Sequence, residues 1–201
     1  MMNLRRAAIL LATCLTATSP SLFAAADGSR LQLPEGAQVG IVVFEDLQCP
    51  DCARAHPELL RVAASEKVPV VIRDFPITRH AWAFPAAVLA RWFGTQSPAL
   101  EVEFRSAVFH QQPDIRPENL REFGEKFAAQ HNLQLPADVD PDGRLAAAVQ
   151  ADFDFGREIG LEYVPLVFVV GRGNDASHWV EVTELEKLPA AIADMRKATK
   201  R

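Results

Sequence analysis

Cys49-Pro50-Asp51-Cys52 places two thiols three positions apart at the start of a stretch with helical spacing. At that distance the two sulfurs are close enough to form a strained, reversible disulfide. At a helix tip, unpaired backbone N–H groups and the positive end of the helix dipole favour a thiolate on Cys49, which makes it the nucleophile. Cys52, one turn further in, is expected to be more buried, less acidic and the resolving thiol. Pro50 costs the first turn no hydrogen bond. Asp51 allows two readings. It opposes ionisation of Cys49 and makes the pair a weaker oxidant than a histidine there would, or it simply complements the helix dipole. For a two-electron couple ~30 mV corresponds to ~1.4 kcal/mol, so one coupled charge is enough to move the pair along the oxidase-to-reductase scale.

Zinc is the competing use of such a pair. It takes four ligands, there is no second cysteine pair, and His56, four residues after Cys52, adds only one. No metal and no cofactor are therefore expected. His56 otherwise reads as a half-exposed helix residue, or as one that positions the site or relays a proton.

The third cysteine, Cys14, lies in a segment with the layout of a signal peptide. Arg5 and Arg6 form a basic start, residues 7–15 are apolar, and Ala24-Ala25-Ala26 offers a small-residue cleavage site. The apolar run falls well short of the ~20 residues that span a bilayer. Cleavage after Ala26 removes two arginines and no acid, taking the formal net charge from −5 to −7. It also leaves Cys49 and Cys52 as the only cysteines. A two-residue gap is too short to staple a fold usefully, so an exported chain with this pair alone points to redox chemistry. Leu11-Ala12-Thr13-Cys14 is a weaker match to a lipoprotein box that would anchor the chain through Cys14. The acidic balance and the absence of a basic run give no sign of nucleic-acid binding.

The chain has 201 residues, 49% of them apolar, enough for one domain with a sizeable core. Residues 39–44 form a β-branched run that reads as a buried strand, residues 49–64 as a helix, and residues 68–75 as a second strand closed by Pro76. Strand, helix, strand at this spacing predicts a parallel βαβ unit. Four helices are expected next, over 82–93, 98–110, 117–130 and 144–159. Leu120, Phe123 and Phe127 mark one face of the third, Asp140-Pro141-Asp142 offers a cap for the fourth, and Gly160 ends it. Residues 166–170 and 178–182 predict an antiparallel hairpin around Gly171-Arg172-Gly173-Asn174-Asp175. A last amphipathic helix over 183–197 is expected, with Thr183 as N-cap. The fold class is α/β: a thioredoxin-type sheet in residues 27–201, with a helical insertion at about 78–142.

Phe44-Glu45-Asp46-Leu47-Gln48-Cys49-Pro50-Asp51-Cys52, followed by His56-Pro57, resembles the DsbA-like thiol:disulfide oxidoreductases, in the branch whose active-site segment reads F-x-D-x-x-C-P-x-C. Tyr163-Val164-Pro165-Leu166-Val167-Phe168-Val169 resembles that family's second signature, a cis-proline loop leading into a strand. The resemblance implies a cis Val164–Pro165 bond facing the cysteines, with the Val164 backbone free to pair with an extended substrate peptide. Pro57 sits where such proteins commonly kink the active-site helix. There are departures. Val43 stands where many relatives carry a buried acid, so Glu45 or Asp46 is left as a proton acceptor for Cys52, or both are solvated at the strand end. Val164 in place of threonine resembles the oxidase branch.

These readings predict a periplasmic disulfide donor, monomeric, acting on exported cysteine-containing proteins and reoxidised, as the family implies, by a quinone-linked membrane partner. The alternatives are a reductase for particular exported clients, or a non-enzymatic chaperone or metal carrier on the same scaffold. An isomerase is disfavoured because only residues 27–38 precede the first strand, too few for a dimerisation domain.

Overall fold

A computed structural model describes residues 31–172 and 178–199. The segment read as a signal peptide, Cys14, and residues 173–175 of the hairpin turn lie outside the described residues. Strand β1 (Val39–Glu45) is buried along its whole length and leads into helix α1 (Pro50–Glu66) and strand β2 (Val70–Asp74). The helical block follows: α2 (Ala83–Gln96), α3 (Pro98–Gln111), α4 (Leu120–Gln130) and α5 (Arg144–Glu158). Strands β3 (Leu166–Gly171) and β4 (Trp179–Glu181) and helix α6 (Leu188–Ala198) complete the order. The four strands form one sheet in the order β2-β1-β3-β4, with β1 and β2 parallel and the other two pairs antiparallel.

The period-2 alternation of strands divides the core between the two sheet faces. Val39, Ile41, Val43, Val167 and Val169 pack with Leu59 and Val62 of α1 and with Leu188 and Ile192 of α6. Val42, Phe44 and Phe168 point the other way, into a larger cluster with Phe93, Phe104 and Phe155 of the helical block. The insertion therefore covers one face of the sheet. Cys49 and Cys52 belong to this second cluster, so the helical block walls the thiols as well as the sheet. Gly156 makes the seating of α5 feasible: a Cβ there would lie 2.6 Å from the Phe75 ring.

Two local expectations change. The last helix does not run from 183 with Thr183 as its cap. A 3-10 turn spans Leu185–Lys187, and α6 begins at Leu188 with Lys187 in the cap position. Pro189 is the reason: a proline is tolerated in the first turn and would break a helix begun six residues earlier. The third helix of the block starts at Leu120 rather than at Pro117. For α5, Asp140 supplies the capping oxygens, accepting from the N–H groups of Leu145 (2.9 Å) and Ala146 (2.8 Å). Gly160 closes the same helix at φ +79°. No helix among the described residues is long and apolar enough to cross a membrane.

Candidate active site

Cys49 occupies the N-cap of α1 in extended geometry, and its carbonyl accepts the first helical hydrogen bond, from Ala53 N–H at 3.1 Å. Pro50 follows in the first turn, and Pro57 lies inside the helix, where it removes one intrahelical bond. Both thiols are free. Cys49 is 6% exposed and Cys52 1%, so an incoming sulfur can reach only the first.

The two sulfurs differ in acidity because of how they share hydrogens. The Cys49 thiol is lowered to about 6, chiefly by the hydrogen bond from the Cys52 thiol. Burial pushes the other way. The Cys52 backbone N–H lowers it further, the Asp46 carboxylate raises it, and His80 lowers it. The Cys52 thiol is pushed far up, first by burial and then by the sulfur to which it donates. The Asp46 N–H donates to Cys52 Sγ at 3.4 Å.

Across the groove, the Val164–Pro165 peptide is cis. The Val164 carbonyl oxygen accepts from Cys49 Sγ at 3.7 Å. Val164 is buried, and Pro165 leads directly into β3. Residues 115 positions apart thus meet over the reactive sulfur.

Asp46 and Glu45 are not solvated at the strand end, as one reading of the sequence allowed; they are 1% and 3% exposed. Asp46 ties the motif to the loop after β2. One carboxylate oxygen accepts from Gln48 N–H at 2.6 Å, and the other from Ile77 N–H (2.6 Å) and His80 Nδ1 (2.8 Å). Glu45 faces Arg105 Nη1 at 3.4 Å and His56 Nδ1 at 3.4 Å. His56 is buried at 4% exposure rather than half-exposed, because α3 lies over it. The Ser106 hydroxyl donates to the Val102 carbonyl and is left to accept from His56 Nε2 at 2.9 Å, so Nε2 carries a hydrogen. Asp51 projects outward and pairs with Arg54. The carboxylate acting on Cys49 is that of Asp46.

His80 is the site residue that sequence reasoning missed. It lies in a loop, its link to Asp46 spans 34 positions, and no periodicity or motif marks it. It lines the groove beside Cys49. The insertion adds further ties: Gln112 Nε2 donates to the carbonyls of Leu47 (2.9 Å) and Cys49 (3.1 Å), and Trp82 N–H donates to Gln48 Oε1 (2.9 Å).

Two outcomes follow from this electrostatic arrangement. His80→Phe raises the Cys49 pKa and Asp46→Asn lowers it, both by less than the rise caused by Cys52→Ala, which removes the largest contribution. Ultraviolet thiolate absorbance against pH measures all three. A His80 variant with an unmoved titration would remove this histidine from the account.

The second outcome concerns stability. The folded pKa of Cys49 lies below its unfolded value of about 8.5. Its stabilisation of the dithiol form is therefore present above that unfolded value and lost as pH falls through about 6. Cys52, shifted upward, acts oppositely only above about 8.5, where its unfolded thiol ionises. Between those limits the dithiol form gains stability relative to the disulfide form as pH rises. Denaturant titrations of both forms test this, and a pH-independent difference between them would contradict it.

Comparison with known proteins is consistent with this geometry. Residues 34–187 match the family model described as thioredoxin. Among solved structures, α-DsbA1 of Wolbachia pipientis superposes with a TM-score of 0.65 at 17% identity, covering 84% of this chain and 94% of that one. DsbA2 of Pseudomonas aeruginosa gives 0.62 at 20% identity, covering 83% and 97%. A periplasmic thioredoxin-like protein from Salmonella enterica serovar Typhimurium gives 0.63 at 15%, covering 80% and 86%. At these identities the likeness is one of fold. A curated relative, the Na(+)/H(+) antiporter NhaA 1 of Salinispora arenicola, is 26% identical over 174 residues. That match covers 83% of this chain and 24% of the antiporter's length.

Proposed function

The chain belongs to the thioredoxin family, and on that premise we propose that it is a thiol:disulfide oxidoreductase that donates its Cys49–Cys52 disulfide to cysteines of exported proteins. The observation that carries this reading is the asymmetry of the pair: a lowered, reachable Cys49 thiol against a raised, buried Cys52. A substrate thiolate attacks Cys49 Sγ. The Cys49–Cys52 bond breaks, a substrate–Cys49 bond forms, and Cys52 leaves and takes up a proton. The substrate's second thiolate then attacks its own sulfur in the mixed disulfide, and Cys49 leaves as a thiolate. The substrate has lost two electrons and the protein has gained them. The low pKa of Cys49 makes it a good leaving group and favours the reduced protein, which drives donation. Val164 and Pro165 stand where an extended peptide would lie beside Cys49.

Residues 1–26 serve in this reading as a cleaved export signal. The protein acts in the periplasm as a monomer, and a quinone-linked membrane partner restores its disulfide. The test is reoxidation of a reduced, unfolded protein by the purified disulfide form; no acceleration over buffer would sink the proposal. A reductase role has one observation in its favour, the buried Asp46 carboxylate opposing the Cys49 thiolate. Equilibration with glutathione separates the two: a potential near ~−120 mV supports donation, and one near ~−270 mV supports reduction.

A further inference from the structure

We infer that the groove beside Cys49 selects substrate peptides carrying a carboxylate next to the reactive cysteine, and that Arg79 and Arg157 recognise that carboxylate. The inference rests on the exchange reading above. The groove has a volume of about 340 Å³, and Cys49, His80 and Val164 line it together with the two arginines. Every other described arginine is engaged. Arg54, Arg61, Arg73, Arg91, Arg105, Arg121, Arg144 and Arg196 pair with carboxylates, and Arg116 and Arg172 donate to carbonyls. Among the described arginines, only the side chains of Arg79 and Arg157 have no hydrogen-bond or ion-pair partner among the described residues, and both residues are exposed.

Two uncommitted guanidinium groups on one groove are unusual in a chain of net charge −5, whose acids outnumber its bases. A guanidinium fork binds a carboxylate through two parallel N–H donors, a geometry that rewards a fixed position. Two acids also line the groove. Asp51 is already paired with Arg54, whereas Glu162 has no cation partner among the described residues. Arg79 follows β2, whereas Arg157 lies near the end of α5, five residues before Glu162 and ahead of the Val164 loop, so the two arginines reach the groove from different segments. A peptide carboxylate within reach of Arg79 or Arg157 would be attracted, and one close to Glu162 repelled.

The test uses matched dithiol peptides that differ only in a Glu, Gln or Lys beside the cysteine, oxidised by the full-length disulfide form. The wild type is expected to prefer the Glu peptide over the Gln peptide by about 10-fold in kcat/KM, with Lys slower than Gln. Arg79→Gln and Arg157→Gln each reduce that ratio by about 2- to 5-fold, and the double variant brings it near unity. Glu162→Gln raises it. Arg157 also sits in the last turn of α5, where a cation favours the helix end. A role confined to that end would lower Tm and leave the Glu-to-Gln ratio untouched, and that result overturns the inference. So does a wild-type ratio near unity. If no peptide is oxidised, the exchange reading falls separately, and serine-for-cysteine peptides still decide the subsite: equal Kd for the Glu and Gln versions overturns it.

Discussion

Cys49→Ala lowers disulfide exchange to the uncatalysed background, whereas Cys52→Ala has no disulfide to donate but keeps the attack of its Cys49 thiolate on a substrate disulfide, which expels the substrate's other thiolate and accumulates mixed disulfides through Cys49. The two variants lose the same number of thiols, so the difference between them reports position. Without Cys49 the remaining sulfur is 1% exposed, and its thiol is pushed far up by burial, so neither access nor thiolate is available to a substrate. Without Cys52, Cys49 still sits at the helix tip under the Val164 carbonyl and still meets a substrate sulfur. What it lacks is the second thiol that releases the mixed disulfide. It also loses its largest source of acidity, so its attack slows at neutral pH. Thiol trapping followed by non-reducing electrophoresis reads both outcomes. Equal accumulation of mixed disulfides by the two variants would contradict the division of roles.

The largest expected effect on stability is at Arg105. Glu45 and Asp74 end the two parallel strands β1 and β2 in direct register, which sets two carboxylates side by side in the interior. Like charges so placed repel, and burial forbids water from screening them. Arg105, fully buried on α3, reaches Asp74 at 2.9 Å, Glu101 at 2.8 Å and Glu45 at 3.4 Å. Arg91 also pairs with Asp74 (2.7 Å) and with Asp152, and Arg73 reaches Asp152 at 2.8 Å. Removing one member of such a cluster costs about 3–5 kcal/mol, because it leaves buried charge uncompensated. Arg105→Leu is therefore expected to lower Tm by on the order of 10 °C. Thermal denaturation of both redox forms measures it. Arg105→Leu with unchanged Tm would mean that the network contributes little beyond what the packed phenylalanines supply.

Much of this arrangement is legible from residue order. The β-branched runs around Ile41 and Val167 announce buried strands, and the two local motifs at Cys49 and Pro165 are written in contiguous residues. What stays hidden depends on distant partners. His56 reads as half-exposed until α3 lies across it. His80 is an ordinary loop histidine until Asp46 fixes it. Arg105 looks like one more charge on an amphipathic helix, because the acids that need it are 31 and 60 positions earlier in the chain. Thr183 resembles a cap by type alone, and Pro189 decides otherwise by geometry. Local pattern specifies elements, whereas buried polar contacts arise only once those elements meet.

Site-resolved alkylation of the reduced protein across pH tests the central asymmetry most directly. Iodoacetamide followed by mass spectrometry is expected to modify Cys49 alone, with a midpoint at about 6, and to leave Cys52 unmodified until the protein unfolds. Modification of Cys52 at a comparable rate, or a Cys49 midpoint near the ordinary thiol value of about 8.5, would contradict the account.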